Sequence, residues 1–305
     1  MRTKPWAAVV AAVPLAAVCV AGPSAAAASS GPRTAQPPVV PAGTTASWLV
    51  YDRKAGKFVA TRNAHRKFRS ASVVKLLIAI DYLEKRKTVP ANDARLLKVM
   101  LRSSDDHAAT TFWNRDGKGA IVERMARRLG LSDTAPPPAS KPGFWGYTSL
   151  SAYDIVRTYR YLLDTAAPRV RDTILGHLRN STPCGTDGFD QYFGIPRAVP
   201  KPWAVKQGWS GFGDVPPTKC GTGAAANPVP LRAPGADLSI SGVASRATGS
   251  GVPDYGRPVL HTTGLLGKDD RFIMAVLTAH PAGGTWSSSV KRVTQLTQGL
   301  YRSVS

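Results

Sequence analysis

The sequence has few of the residues that would assign a metal site or a membrane protein directly. Its 305 residues include three cysteines, Cys19, Cys184 and Cys220, whose spacing fits no zinc-ligand pattern. It has only two glutamates, Glu84 and Glu123. Beyond the N-terminus, no stretch has the roughly 20 apolar residues that a membrane-spanning helix needs. These absences exclude a cysteine-ligated zinc site and argue against a membrane span in the body of the chain.

Acidic residues are also scarce, with 19 Asp and Glu against 40 Lys and Arg, for a formal net charge of +21. Such an excess can bind nucleic acid, but the basic residues are scattered and form no basic block or known nucleic-acid motif. A solvated basic surface explains the charge better, and for an exported protein the acidic neighbour is cell-envelope polymer. We therefore expect no nucleic-acid partner.

Residues 1–28 have the pattern of a secretory signal peptide. Two basic residues precede an apolar run over positions 6–22, and three alanines before position 29 offer a small-residue cleavage site. Val18 precedes Cys19, where a lipoprotein signal has a small residue, so we do not expect lipid attachment there. Residues 29–43 are rich in Pro, Ser and Ala and are typical of a linker. We predict a secreted, extracellular protein.

Removal of the signal peptide leaves Cys184 and Cys220 as the remaining cysteines of a chain sent to an oxidising compartment. We predict a disulfide between them, with two free thiols as the alternative. The bridge would close a loop that contains Lys206.

Hydrophobic periodicity predicts a hairpin, a helical middle and a strand-rich end. The segment ASWLVYDRKAGKFVATRN has two β-prone runs joined by a turn. From Ser72 to about Arg86 the pattern is helical and apolar on nearly every face, which indicates a buried helix. Further helices are predicted at about 93–102, 106–114, 119–129, 151–164 and 168–179. Strand character returns in WAVKQGWSG, RPVLHTTGLLG and DRFIMAVLTAH, before an amphipathic helix from about Ser287 to Tyr301.

This order of elements predicts an α+β fold in which the hairpin and the final strands share one antiparallel sheet flanked by helices. The folded domain is expected at 44–305. Its sheet lobe would come from about 44–71 and 200–305, and its all-helical lobe from about 72–199. Residues 212–257, rich in Gly, Pro and Ala, are expected to form a long loop between two strands.

Lys75 is unusual because it lies inside the apolar run FRSASVVKLLIAI of the predicted buried helix. Burial removes water from an amine and favours its neutral form, which can act as a base. Ser72 precedes it by three residues, so the hydroxyl and the amine share a helix face. That is the arrangement of a serine activated by a lysine. The same spacing at Ser288 and Lys291 is a chance match, because Lys291 can face water on an amphipathic helix.

A second polar element, MLRSSDDHAATTFW, lies in a break between two predicted helices. It contains Ser104, Asp105 and Asp106. Such a cluster often serves only as a helix N-cap, and that is the alternative here. A third element, Lys206-Gln207-Gly208, lies on a predicted strand.

Ser72 with Lys75, the Ser-Asp-Asp element, and Lys206-Gln207-Gly208 together resemble the three motifs of the penicillin-recognising serine hydrolases. In that superfamily, which includes β-lactamases and D,D-peptidases, the motifs are Ser-x-x-Lys, Ser-Asp-Asn and Lys-Thr-Gly. Their order and rough spacing agree. The resemblance extends over essentially residues 44–303 and is closest to class A β-lactamases, so a β-lactamase/transpeptidase-like fold is expected.

Lys-x-Gly is a short motif and also occurs at Lys54, Lys141 and Lys219. Lys219 is the main rival, because KCGTG looks closer to the family pattern. Two adjacent prolines precede it, however, and argue against a paired strand there. We therefore assign the motif to Lys206, with Gly208 in contact with substrate.

The resemblance implies a role for each matched residue. Ser72 would attack a carbonyl and form an acyl-enzyme, with Lys75 as its base. Ser104 would relay a proton toward the leaving nitrogen, and Lys206 would supply positive charge for a substrate carboxylate. The backbone N–H groups of Ser72 and Trp209 would form the oxyanion hole. The resemblance implies neither a metal nor an organic cofactor.

Three positions predicted to contact substrate depart from the family pattern. Asp106 stands where the family has Asn, and a carboxylate there favours the charged form of the neighbouring lysine. Gln207 replaces a hydroxyl residue that helps to hold the substrate carboxylate, a role left to Ser210 or Thr262. Trp209 is large for the edge of a cleft.

The sharpest departure concerns the water that clears the acyl-enzyme. Class A β-lactamases activate it with a glutamate on a loop preceding the helix that here begins near Ser151. The corresponding loop, SDTAPPPASKPGFWGYTS, offers only Asp133 at its start, and three prolines separate that residue from the segment expected to line the cleft. An equivalent base is therefore not expected.

These features predict an exported serine hydrolase that acts on an amide or ester, with a peptidoglycan-type D-Ala-D-Ala peptide as a candidate substrate. A β-lactamase with an altered deacylation route is the second enzyme hypothesis. The third is a binding protein that kept the fold and lost turnover. We expect a monomer that binds a small-molecule or peptide substrate, such as cell-wall peptide or a β-lactam.

Overall fold

The structure is a computed structural model, and it describes residue 1, residues 38–221 and residues 256–305. The predicted signal peptide, most of the predicted linker and most of the predicted 212–257 loop lie outside these described residues. Within them, no helix is long and apolar enough to cross a membrane.

In the described parts of the chain, one antiparallel sheet has the strand order β2-β1-β7-β6-β5. Its strands are β1 Thr45–Asp52, β2 Lys57–Arg62, β5 Trp203–Ser210, β6 Val259–Leu266 and β7 Phe272–Ala279. The hairpin and the three late strands therefore share one sheet, and the predicted α+β fold is confirmed. In the β5–β6 register, Lys206 pairs with Thr263 and Gly208 with His261.

The helices agree with the predicted periodicity to within a few residues at each end. They are α1 Lys75–Glu84, α2 Ala91–Arg102, α3 Asp106–Arg115, α4 Gly119–Leu129, α5 Ala152–Asp164, α6 Pro168–Arg179, α7 Ile195–Ala198 and α8 Trp286–Val304. The first predicted helix begins as a 3-10 turn, Ala71–Val74, before α1. The short α7 was not predicted.

The expectation that the middle of the chain is wholly helical is wrong in one detail. Two short strands, β3 Phe68–Arg69 and β4 Ser149–Leu150, pair in an antiparallel ladder. Each has two residues, which is too short to produce a detectable alternation of apolar and polar positions. This small ladder joins the entry of the Ser72 turn to the residues just before α5.

Local signals explain where the helices that surround the site begin and end. The Asp105 carboxylate accepts a hydrogen bond from the Ala108 N–H at 2.7 Å and caps α3. Ser151 caps α5 in the same way, by accepting from the Asp154 N–H at 3.1 Å. Helix α4 ends at Gly130, whose φ of 65° is the left-handed conformation that glycine adopts freely.

The apolar interior has two parts. Helix α1 lies in the first, where every residue from Lys75 to Leu83 is buried by the helices around it. The second lies between the other face of the sheet and α8, and it includes Trp203, Val205 and Leu296. Burial of α1 on all sides confirms the interpretation of its apolar pattern. It also places Lys75 in the protein interior.

Candidate active site

Ser72 and Lys75 lie next to each other at the start of the buried helix. Ser72 belongs to the 3-10 turn, in which residues three apart are nearly eclipsed, and Lys75 is the first residue of α1. The Lys75 Nζ is 2.9 Å from the Ser72 Oγ. Ser72 is 5% exposed and Lys75 is fully buried. The predicted contact between hydroxyl and amine is present.

The second polar element completes the surroundings of the Lys75 amine. Lys75 Nζ donates to the Ser104 carbonyl at 2.5 Å and to Asp106 Oδ1 at 2.6 Å. The Trp145 ring centroid lies 4.6 Å from the same nitrogen. The Asp106 side chain is 70% exposed, so this ion pair joins a buried amine to a carboxylate at the protein surface.

Ser104 has a backbone conformation that non-glycine residues rarely adopt, with φ of 58°. Neighbouring chain segments hold it in place. The Thr186 N–H donates to the Ser103 carbonyl at 2.9 Å, and the Asp105 N–H donates to the Val99 carbonyl at 3.2 Å. This conformation turns the Ser104 carbonyl toward Lys75 and its hydroxyl toward β5. Such positions persist where the surrounding structure over-determines them and often occur at functional sites.

Lys206 on β5 contacts Ser104 from the side of the sheet. Its Nζ donates to the Ser104 Oγ at 2.8 Å and to the Gln207 carbonyl at 3.0 Å. Burial, followed by the charge of Lys75, lowers the pKa of Lys206 well below its usual value, while Asp106 and Asp187 act in the opposite direction. The rival lysine, Lys219, is exposed and lies outside the strands.

Gly208 is required where β5 approaches the turn that carries Ser72. A Cβ atom at this position would lie 3.0 Å from Val73 Cγ2 and 3.1 Å from the Ser70 carbonyl oxygen. These distances are shorter than ordinary van der Waals contacts, and one of the two neighbours is backbone that cannot yield easily. The glycine of the Lys-x-Gly element therefore lets the strand and the 3-10 turn lie in contact.

The side chain of Gln207 is not part of this hydrogen-bonded group, and its predicted contact with substrate stays a prediction. Its amide nitrogen donates to the Phe193 carbonyl at 2.5 Å, and its Oε1 is buried without a hydrogen-bond partner among the described residues. Thr262, proposed as a substitute, accepts a hydrogen bond from the Ile195 N–H at 3.0 Å and is buried. Gln207 and Lys206 are neighbours on a strand, so their side chains point to opposite faces of the sheet. Lys206 bonds to Ser104, and Gln207 bonds to Phe193 on the other side.

The Trp209 indole is also engaged elsewhere. Its ring packs with Phe189, Phe193 and Trp286, with centroid separations of 6.3 to 6.4 Å. Its Nε1 donates to Asp187 Oδ2 at 2.9 Å. The ring thus holds the segment before α7 against β5, and only the backbone of Trp209 remains as a candidate for contact with a substrate.

Sequence reasoning missed Asp187 and Trp145. Partial burial raises the pKa of the Asp187 carboxyl, although the residue keeps exposed surface, and the nearby Asp106 charge adds to this while Trp209 and Lys75 oppose it. Asp187 follows Cys184 by three residues, so the predicted disulfide around Lys206 was the signal that could have found it. Trp145 lies in the loop before α5, and no motif in the sequence marks an aromatic residue there as part of a site.

The Cys184–Cys220 disulfide is present, with a Cα–Cα distance of 5.5 Å. It joins the segment around Thr186 to the chain that follows β5. The Thr186 N–H of that segment donates to the Ser103 carbonyl. The prediction of this bridge is confirmed, and the segment that it fixes bonds to Ser103, next to the second motif.

Asp133 does not take part in the group around Ser72. Its carboxylate accepts from the Ser151 hydroxyl at 2.8 Å and lies 2.8 Å from His65 Nδ1. These contacts tie it to the start of α5. The corresponding loop therefore brings an aromatic ring, Trp145, to Lys75 instead of a carboxylate.

Comparisons with known proteins give relatives of two kinds. No protein-family model matches the chain. Curated proteins from Mycobacterium bovis and Mycobacterium tuberculosis, both named "Putative lipoprotein LppW", are 45% identical over 175 residues, which are 55% of this chain and 54% of each relative. The chain thus spans about half the length of the curated relatives it matches.

Solved structures match over a larger part of the chain. A class A β-lactamase from Mycobacterium abscessus has a TM-score of 0.58 at 16% identity, over 85% of this chain and 94% of that one. PBP-A has a TM-score of 0.56 at 15% identity, over 86% and 90%. A PBP-A variant was solved as an acyl-enzyme complex with penicillin G. At these identities the likeness establishes the fold, and the chain has the fold of the penicillin-recognising serine hydrolases.

Proposed function

We propose that this protein is an exported serine hydrolase that cleaves an amide or ester through an acyl-enzyme on Ser72. One observation carries the proposal. The Ser72 hydroxyl lies 2.9 Å from a fully buried lysine amine, and that amine belongs to one hydrogen-bonded group with Ser104 and Lys206. A serine needs such a base to become a nucleophile. The half-buried Ser288 bonds only to Thr285 among the described residues and has no equivalent.

The proposed reaction uses each of these groups once. Lys75 accepts the proton of Ser72 as its oxygen attacks the carbonyl carbon. The Ser104 hydroxyl, 3.5 Å from Lys75 Nζ and 2.8 Å from Lys206 Nζ, passes its proton to the leaving group as the bond to the acyl carbon breaks, and it takes the Ser72 proton from Lys75 in return. Water then attacks the ester on Ser72 and regenerates the hydroxyl.

Backbone geometry supports an oxyanion hole at Trp209. Along a strand, the N–H and C=O groups of every second residue point to the same edge. The Gln207 carbonyl accepts from Lys206 Nζ, and Gly208 lies against the Ser72 turn. The Trp209 N–H, two residues after Gln207, therefore points to the same edge. With the Ser72 N–H it gives two donors for the oxyanion.

The fold and the names of the relatives support the proposed substrate class. Proteins named as lipoproteins belong to the cell envelope, and an exported protein with a basic surface meets envelope polymer there. A peptidoglycan-type peptide ending in D-Ala-D-Ala is the proposed substrate. We propose export to the cell envelope, and the lipoprotein name of the relatives raises attachment there as an alternative to free secretion.

A β-lactamase with an altered deacylation route is the second candidate, and the class A neighbours favour it. Clearance of an acyl-enzyme needs a positioned general base, and removal of one such base typically costs about 100- to 10,000-fold in rate. Asp133 is bonded to Ser151 and His65, and Trp145 covers Lys75. We therefore expect penicillin, if it acylates Ser72, to leave a long-lived adduct. Rapid turnover of a chromogenic cephalosporin without a persisting adduct would favour the β-lactamase.

The proposal is tested by intact-protein mass spectrometry after reaction with a fluorophosphonate probe. Wild-type protein and the Ser288→Ala control should gain one probe mass, and Ser72→Ala should gain none. Labelling that survives in Ser72→Ala, or that is lost only in Ser288→Ala, rejects the assignment. A protein that no serine-directed probe labels would support the third hypothesis, a binding protein of the same fold. Hydrolysis of a D-Ala-D-Ala peptide by labelled and unlabelled protein then tests the substrate class.

A further inference from the structure

The site contains a feature that opposes the activation of Ser72. Lys75 Nζ donates to the Ser104 carbonyl at 2.5 Å and to Asp106 Oδ1 at 2.6 Å. Both oxygens can only accept, so they occupy two N–H groups of the amine. The remaining position on the nitrogen faces the Ser72 hydroxyl at 2.9 Å. It holds either a lone pair, which can take the serine proton, or a third proton, which cannot.

Two contacts favour the third proton. The Asp106 carboxylate is an opposite charge at ion-pair distance, which stabilises an ammonium over a neutral amine. The face of the Trp145 ring lies 4.6 Å from the nitrogen and also attracts a cation. The other charged groups facing this pair are Lys206 on β5 and Asp187 in the segment before α7. Burial and the nearby Lys75 charge lower the pKa of Lys206, while Asp106 and Asp187 act in the opposite direction.

We propose that Asp106 restrains Ser72 through its ion pair with Lys75. Asp106 is thus a positioning residue that acts through Lys75, and the inference rests on the proposed function. Neutralising the carboxylate frees the Lys75 lone pair, and the Ser72 proton then moves to Nζ as the oxygen attacks. The Asp106 side chain is 70% exposed, so groups in solvent can reach the carboxylate that restrains Ser72.

The test measures the rate of Ser72 acylation by a neutral fluorophosphonate probe from pH 6 to pH 10. The variants are Asp106→Asn and Asp106→Ala, with Asp164→Asn as the matched control because it removes an exposed carboxylate at the end of α5. Wild-type rates should rise with pH. Both Asp106 variants should be faster by about tenfold or more near neutral pH, because an opposite charge shifts such an equilibrium by one unit or more. Their rise should move to lower pH, and the control should match wild type.

Several outcomes overturn the inference. Asp106 variants with wild-type rates and an unshifted pH profile contradict it. Acceleration by Asn but not by Ala also contradicts it, because the amide would then act on the substrate. If wild type is labelled and the variants are slower, the inference fails while the proposed function stands. If neither wild type nor the Asp106 variants are labelled, both fail. Thermal unfolding midpoints within a few degrees of wild type identify folded variants.

Discussion

Two buried lysines converge on Ser104, and their surroundings give them different tasks. Lys75 has a carboxylate partner in Asp106, whereas Lys206 donates to a hydroxyl and a carbonyl. Burial without a partnered carboxylate lowers the pKa of Lys206 and makes its proton easy to give up. A lysine in this state can restore the Ser104 proton during the transfer to a leaving group.

Replacing Lys206 with Met should slow acylation of Ser72 by about 100-fold, since loss of one preorganised polar group in an active site typically costs that much. The chain offers a matched control in Lys219→Met, because Lys219 belongs to the rival Lys-x-Gly sequence and is exposed. That variant should keep the wild-type rate. The measurement is the probe acylation rate of both variants, with thermal unfolding as a check on the fold. Equal rates in the two variants would remove Lys206 from the mechanism.

Residues whose contacts are close in the sequence were predictable, whereas residues whose contacts are far apart in the sequence were not. Ser72 and Lys75 are three residues apart on one turn, so the pattern of the turn itself brings them together. Gln207 follows Lys206 on β5, and the strand period puts the side chains of neighbours on opposite faces, so its side chain lies away from the Ser72 group. Asp187 reaches the site through a disulfide and an aromatic cluster, which no local pattern encodes.

At the scale of elements, the disulfide links the segment around Thr186 to the chain after β5. This segment bonds to Ser103 and to the Trp209 indole through the Thr186 N–H and the Asp187 carboxylate. The bridge spans a sequence separation of 36 residues. A bridge over this separation restricts the conformations of the unfolded chain. Through the bond from Thr186 to Ser103 it also supports the backbone next to Ser104.

The double variant Cys184→Ala/Cys220→Ala should lose about 3 to 4 kcal/mol of unfolding free energy by the chain-entropy relation for such a loop. Its acylation rate should also fall, because Ser104 loses support for its unusual backbone conformation. Guanidinium unfolding and probe acylation measure the two effects. A thiol titration of the unreduced, denatured protein that finds two free thiols would contradict the bridge, and an unchanged acylation rate would separate it from the site.

Most elements were predictable because each has a long periodic pattern or a clear cap. Helices α2 to α6 extend over ten or more residues, and Asp105, Ser151 and Gly130 mark their ends. The ladder of β3 and β4 and the four-residue α7 are too short to show a period. The 3-10 geometry of the Ser72 turn was also not predicted, because its apolar pattern fits either helix type.

At the scale of the whole molecule, two buried histidines make stability depend on pH. His261 lies opposite Gly208 on β6, and its Nε2 is 2.9 Å from the Arg69 carbonyl. Burial lowers the pKa of His261 to about 4 and that of His280 to about 3. Both folded-state values lie below the ordinary value of about 6.5. As the pH falls below about 6.5 the unfolded chain therefore binds protons that the folded protein does not, and stability decreases.

The unfolding free energy should fall between pH 7.5 and pH 5 by about 2 kcal/mol for each of these histidines. Replacing His261 with Gln should flatten this dependence, whatever it does to stability at neutral pH. The exposed His107→Gln variant should leave the slope unchanged. Urea unfolding at a series of pH values measures the slope. A His261→Gln slope identical to wild type would show that His261 accepts its proton in the folded state.

The proposed mechanism depends on Ser72 as the activated nucleophile, and the most direct measurement locates the covalent adduct in the wild-type protein. Wild-type protein is treated with a fluorophosphonate probe, digested and analysed by tandem mass spectrometry. This mechanism predicts a single modification, on Ser72, in the peptide that also contains Lys75. Modification of Ser104, Ser288 or another residue in place of Ser72 would contradict it, as would the absence of any adduct from pH 6 to pH 10.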